Sequence, residues 1–105
     1  MTAFSFAEAR RAGVAELALS GDLDMSATFR LEPALDRVFD GGDVRELVLD
    51  LDGVTFVDSS GVGLMLSTYE RSREARTRMA IVGARPEIQR VFELAGVEGV
   101  LPLGS

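Results

Sequence analysis

The chain has 105 residues, 47% of them hydrophobic and 27% charged, with a net charge of −6 at pH 7. This balance is that of an ordinary globular protein, and the length favours one domain spanning residues 1–105. There is no histidine, cysteine or lysine, and all 11 basic residues are arginine. These absences exclude a Ser-His-Asp triad, a disulfide framework, thiolate chemistry, a His/Cys zinc site, a Walker A loop and a Schiff-base lysine. The acidic balance speaks against a nucleic-acid partner, which would be repelled. No apolar run approaches the roughly 18 residues that span a bilayer, and no basic segment followed by an apolar one opens the chain. The expectation is a cytoplasmic protein with no membrane partner and no cofactor.

Phe4 to Glu8 alternates and reads as a first strand, Arg10 to Gly13 as a turn, and Val14 to Leu19 as a second strand. So short a connection makes them an antiparallel hairpin, which Ser20-Gly21 is expected to end. A first helix follows, with Ser26 or Thr28 as its cap and Leu31, Leu35, Val38 and Phe39 on its inner face. Pro33 predicts an irregular start or a kink. Gly41-Gly42 stops the helix near Asp40. Glu46 to Leu51 reads as a third strand, and Val48, Leu49 and Leu51 suggest one covered on both faces. Asp52-Gly53 is a turn signal, after which Thr55-Phe56-Val57 leads into Asp58-Ser59-Ser60-Gly61-Val62-Gly63. A second helix is predicted from Ser60 to Arg76, with Val62, Met65, Leu66 and Tyr69 at helical spacing. Arg71, Arg73, Arg76 and Arg78 read as its solvated end. Arg78 to Gly83 forms a fourth strand. Pro86 opens a third helix that Gly96 ends, and Val100 to Leu103 adds a short edge segment. The order β-β-α-β-α-β-α predicts an α/β fold in which helices pack on a mixed sheet.

The stretch Asp58-Ser59-Ser60-Gly61 admits two readings. A serine just before a helix usually caps it. Alternatively, one hydroxyl accepts a phosphoryl group, since a helix N-terminus offers free N–H donors and a partial positive charge. That would add about −1.5 to −2 charges close to Asp22, Asp24 and Asp58. Gly61 and Gly63 either leave room for a partner's backbone or allow close helix–sheet packing. Other chemistries fail on particulars. A nucleophile elbow needs Gly-x-Ser-x-Gly, and Val57 stands where its first glycine belongs. The acids Asp22, Asp24, Asp50, Asp52 and Asp58 suggest a receiver-like Mg²⁺ site, but the hairpin opening and the lack of lysine do not fit one.

Taken together, Gly21-Asp22-Leu23-Asp24, the run Leu47 to Gly63, and Arg85-Pro86-Glu87-Ile88-Gln89-Arg90-Val91-Phe92-Glu93-Leu94-Ala95-Gly96-Val97 resemble the STAS domain. The resemblance is strongest to the stand-alone bacterial anti-sigma factor antagonists, and it extends from about Val14 to Leu103. It implies a switch and not an enzyme. In that family the unphosphorylated protein binds an anti-sigma factor, a serine kinase of the histidine-kinase-like ATPase type, and so frees a sigma factor. The kinase phosphorylates the serine that follows the aspartate, and a PPM-type phosphatase reverses this. Carried onto this sequence, the acceptor is Ser59. Asp24 and Asp22 lie beside it, Asp58 orients it, and Ser60, Gly61 and Gly63 complete the partner surface. The free chain is expected to be a monomer. Two departures stand out. Ala27 occupies a place where many relatives carry a hydroxyl, and Pro33 interrupts the first helix. The alternative implied role is that of a STAS scaffold or regulatory subunit in a larger signalling or transport assembly.

Overall fold

The computed structural model describes residues 2–104, so Met1 and Ser105 of the expected domain span lie outside the described residues. The elements are β1 (Ser5–Arg11), β2 (Val14–Leu23), α1 (Met25–Asp40), β3 (Glu46–Val57), α2 (Ser59–Glu74), β4 (Arg78–Val82) and α3 (Pro86–Leu94), in the expected order. Ala12 and Gly13, between β1 and β2, both have positive φ (51° and 84°). This is the backbone a two-residue hairpin needs to match strand twist. β1 pairs antiparallel with β2, while β2–β3 and β3–β4 are parallel. The result is one mixed sheet of order β1-β2-β3-β4.

Each parallel connection carries a helix. Right-handed crossovers advancing in one direction place α1 and α2 on the same face of the sheet, and the two helices pack against each other. The core lies on that face. Leu17 and Leu19 of β2, Leu47 and Leu49 of β3, Ile81 of β4, Leu31 and Leu35 of α1, and Met65 of α2 are all essentially inaccessible. The alternate residues Glu16, Ala18, Ser20, Val48 and Asp50 are exposed or half-buried. The expectation that Val48 sits in a strand covered on both faces is therefore corrected, because β3 alternates as a half-buried strand does. α3 lies against β3 and adds Ile88 and Phe92 to the core. The C-terminal segment forms the expected edge as a single parallel bridge, Ile81 to Leu103, in which the Ile81 N–H donates to the Pro102 carbonyl at 3.0 Å.

Two strands run further than the sequence suggests. β2 continues through Ser20-Gly21 to Leu23, and β3 continues through Asp52-Gly53 to Val57. Asp52-Gly53 is a bulge and not a turn. Between Asp50 and Gly53, and again between Val54 and Phe56, β3 has one residue more than β2 opposite it. These two shifts account for β3 having 12 residues against 10 in β2. The Asp50 carboxylate accepts the Asp52 N–H at 3.0 Å, which satisfies the backbone at the first shift. α1 is one helix from Met25 to Asp40 across Pro33. Pro33 is exposed, so the carbonyl left unbonded by its missing N–H is on the solvent side.

Candidate functional site

The carboxyl ends of β2 and β3 lie side by side, with Leu23 opposite Val57. Each strand passes through one aspartate directly into a helix. Asp24 is extended (φ −113°, ψ −168°) and caps α1; Asp58 is extended (φ −105°, ψ −172°) and caps α2. The Asp58 N–H reaches the Leu23 carbonyl at 3.4 Å, which ties the two caps together. The sequence repeats as well: Leu23-Asp24-Met25-Ser26 stands beside Val57-Asp58-Ser59-Ser60. Met25 and Ser59 thus occupy the same place, the first residue of a helix.

Each cap uses its carboxylate on its own helix. Asp58 Oδ1 accepts the Ser60 N–H at 2.9 Å and the Gly61 N–H at 3.1 Å. Asp24 Oδ1 accepts the Ala27 N–H at 3.0 Å and the Ser26 hydroxyl at 2.9 Å. The Ala27 N–H, followed by the Ser26 hydroxyl, holds the Asp24 carboxyl below its ordinary value of 3.8, so the group is ionised at neutral pH. Capping expected from Ser26 or Thr28 is therefore done by Asp24. Ser26 only supports that carboxylate, and the Thr28 hydroxyl donates to the Met25 carbonyl at 2.7 Å. At α2 the cap is likewise an aspartate and not a serine, because the Asp58 carboxylate, one residue before the helix, reaches the free N–H groups first.

Ser59 is exposed, Ser60, Asp24 and Asp58 are half-buried, and Gly63 is exposed. Asp22 and Gly61 are not surface residues. Asp22 is 8% exposed and its N–H donates to the Thr2 carbonyl at 3.0 Å. It lines a cleft of about 340 Å³ with Thr2, Ala3, Phe4, Asp24 and Ser26. The Arg30 guanidinium also donates to the Phe4 carbonyl. A chain start lying along the end of β2 leaves no motif, so the sequence does not announce this cover. At Gly61 an added Cβ would stand 2.4 Å from the Leu23 carbonyl oxygen. Its glycine is therefore explained by helix–sheet packing. Nothing lies within 4 Å of a Cβ added at Gly63.

The buried face of α2 is Gly61, Val62, Leu64, Met65, Thr68 and Ser72, and Tyr69 is only half-buried. The hydroxyl of Ser72 donates to the Tyr69 carbonyl at 2.6 Å, so it can lie in the core without an outside partner. Arg71 is more than a solvated end. It pairs with Asp36 at 2.9 Å and Asp40 at 4.0 Å and lies over the Phe39 ring, 4.8 Å from its centre. It thereby bridges α2 to α1. No group of acids among the described residues is arranged to hold a metal ion. No helix among them is long and apolar enough to cross a membrane.

An exposed serine at the entrance of one helix, beside two aspartate-capped helix ends on a mixed four-stranded sheet, defines the class: a small α/β protein with an exposed hydroxyl at a helix start. The family model for the STAS domain matches residues 7–105. The chain belongs to the STAS domain family. It is 28% identical over 91 residues to the anti-sigma F factor antagonist of Paenibacillus polymyxa, covering 87% of this chain and 78% of that one. An anti-sigma factor antagonist from Mycobacterium paratuberculosis has the same fold, with a TM-score of 0.84 at 29% identity over 96% of this chain and 85% of that one. The antagonist SpoIIAA in its unphosphorylated form shares the fold at 22% identity, with a TM-score of 0.81 over 96% of this chain and 89% of that one.

Proposed function

We propose that this chain is an anti-sigma factor antagonist switched by phosphorylation of Ser59. The unphosphorylated form binds an anti-sigma factor with serine-kinase activity and so releases a sigma factor. The observation that carries the reading is Ser59 itself, exposed as the first residue of α2 and placed beside two ionisable caps. The names borne by its relatives in Paenibacillus polymyxa and Mycobacterium paratuberculosis support the same reading. In the transfer, the Ser59 oxygen bonds to the terminal phosphorus of ATP, ADP leaves, and a base on the kinase takes the hydroxyl proton. Catalysis therefore belongs to the partner, and the chain is a substrate and ligand, not an enzyme. A PPM-type phosphatase removes the group. The chain works in the cytoplasm as a monomer, with Asp24, Asp58, Ser60 and Gly63 on the docking face and Asp22 and Gly61 supporting it from within.

The caps explain how the charge would act. The Ser60 and Gly61 N–H groups are already committed to Asp58. A phosphoryl group on Ser59 gains the favourable field of the helix end but not those two donors. It projects outward beside the carboxylates of Asp58 and Asp24, where it repels a partner adapted to the uncharged hydroxyl.

The test is incubation with the serine-kinase anti-sigma factors of the same genome, ATP and Mg²⁺, read by intact mass and peptide mapping. The reading expects one phosphoryl group per chain on Ser59 and none on Ser59→Ala. Modification confined to Ser60, or none with any such kinase, would contradict it.

A further inference from the structure

The sheet has one bare edge. Its β4 side carries the bridge from Ile81 to Leu103, but among the described residues nothing pairs with the outer side of β1. Every residue of β1 except Phe6 is exposed. The hairpin decides which main-chain groups face outward. Arg11 and Val14 flank its two-residue turn and exchange hydrogen bonds. Bonded and non-bonded pairs then alternate along an antiparallel ladder. Ala9, Ala7 and Ser5 therefore also bond to β2, while Arg10, Glu8 and Phe6 turn their N–H and C=O groups away from it. The next outward group in the series is the Phe4 carbonyl, and the Arg30 side chain donates to it from outside the sheet. Among the described residues nothing does the same for Phe6, Glu8 or Arg10.

An open edge is a template for another strand, and its charges select which one. Glu8 and Arg10 lie on one face of β1 and pair along the strand at 2.8 Å. When a second copy is turned about a two-fold axis at Ala9, its Arg10 stands opposite Glu8 and its Glu8 opposite Arg10. Both pairs consist of outward-facing residues, so each exchanges both of its main-chain bonds. Ala9 meets its own image on the other face, where a methyl group leaves room. The neighbouring registers fail. A two-fold at Glu8 opposes two glutamates and one at Arg10 opposes two arginines, and like charges directly opposite destabilise a strand pair. A two-fold at Ala7 sets Glu8 against Phe6 and calls on the Phe4 carbonyl that Arg30 already holds. A foreign strand would need the same alternation of acid and base, which the chain itself supplies. We infer that β1 pairs antiparallel with β1 of a second copy, centred on Ala9, and joins the two sheets into one. The contact is isologous and closes on itself. The two-fold reverses β2 together with β1, so the two Ser59 residues lie at opposite ends of the joined sheet. The inference stands independently of the reading of Ser59. One short strand pair buries far less than the about 1,200–2,000 Å² of a stable interface. The pair is therefore reversible and forms at high concentration, and the chain that meets a kinase singly is the monomer.

The experiment is sedimentation equilibrium of the full chain from micromolar to millimolar concentration, which should show reversible monomer–dimer association. Glu8→Arg and Arg10→Glu are each expected to weaken it at least about tenfold, because each sets like charges opposite one another in both pairs. Mixed in equal amounts, the two variants should associate to within about threefold of the wild type, because every pair again joins opposite signs. Both positions are exposed, and circular dichroism confirms that each variant folds. Hydrogen exchange reads the wild-type edge without any substitution: the Glu8 and Arg10 amides should gain protection as concentration rises. Ser59→Asp should associate as the wild type does. A wild type that stays monomeric throughout would overturn the inference. So would single variants that dimerise like the wild type, or a mixture that stays monomeric. Dimers that leave exchange at Glu8 and Arg10 unchanged, or that Ser59→Asp abolishes, would place the contact elsewhere and overturn it as well.

Discussion

Gly61 and Gly63 sit two residues apart on α2 and are glycine for different reasons. At Gly61 a methyl group would enter the Leu23 carbonyl, at 2.4 Å, with Leu23 Cγ and Val57 Cγ1 at 3.0 Å. Backbone cannot swing aside as a side chain can. Gly61→Ala is expected to destabilise the fold by about 1–3 kcal/mol, the usual range for overpacking. At Gly63 the space is open, and replacing a helical glycine with alanine gains about 0.5–1 kcal/mol. Thermal or urea melts of the two variants should move in opposite directions; equal shifts would refute this division. Asp24 gives a pH prediction. Its carboxyl is held below 3.8 by the Ala27 N–H and the Ser26 hydroxyl. The stability it contributes is complete above the unfolded value of 3.8 and disappears as pH falls through the lower folded value. Asp24→Asn has no carboxylate to lose. Its melting temperature should fall less than that of the wild type between pH 5 and pH 2, both read by circular dichroism at fixed ionic strength.

At the scale of elements, the two helices at the site are begun by aspartates that close β2 and β3. Asp58→Ala removes the acceptor of two N–H groups at once and should cost about 1 kcal/mol, typical of a lost N-cap; Asp58→Asn keeps an oxygen there and should cost less. A urea titration separates them. The sequence shows the element order, the hairpin and the mixed sheet, and it puts Ser59 at the junction of a strand and a helix, because apolar alternation and helical spacing survive without coordinates. It misplaces the caps. Ser26, Thr28 and Ser60 are good cap residues by type, but whether Asp24 or a serine caps depends on where the strand ends, and Asp22 to Asp24 carry no local signal for that. It misreads Asp52-Gly53 because a bulge and a turn share the same composition, and only the pairing with Ser20 tells them apart. It assigns Gly61 to the partner surface or to packing without choosing, since the deciding contact, Leu23, is far away in sequence. The cover over Asp22 depends on neighbours that no single segment reveals.

At the scale of the whole molecule, net charge bears on the proposed switch. The protein starts at −6, and phosphorylation adds about −2 at pH 7 at the end where Asp24 and Asp58 already stand. The most direct test of the account compares two samples of the same chain, one unmodified and one fully phosphorylated on Ser59, titrated calorimetrically into the anti-sigma kinase. The account predicts tight one-to-one binding of the unmodified chain and a loss of at least about a hundredfold in affinity, equivalent to about 2.7 kcal/mol, for the phosphorylated one. Equal affinity of the two forms would contradict it.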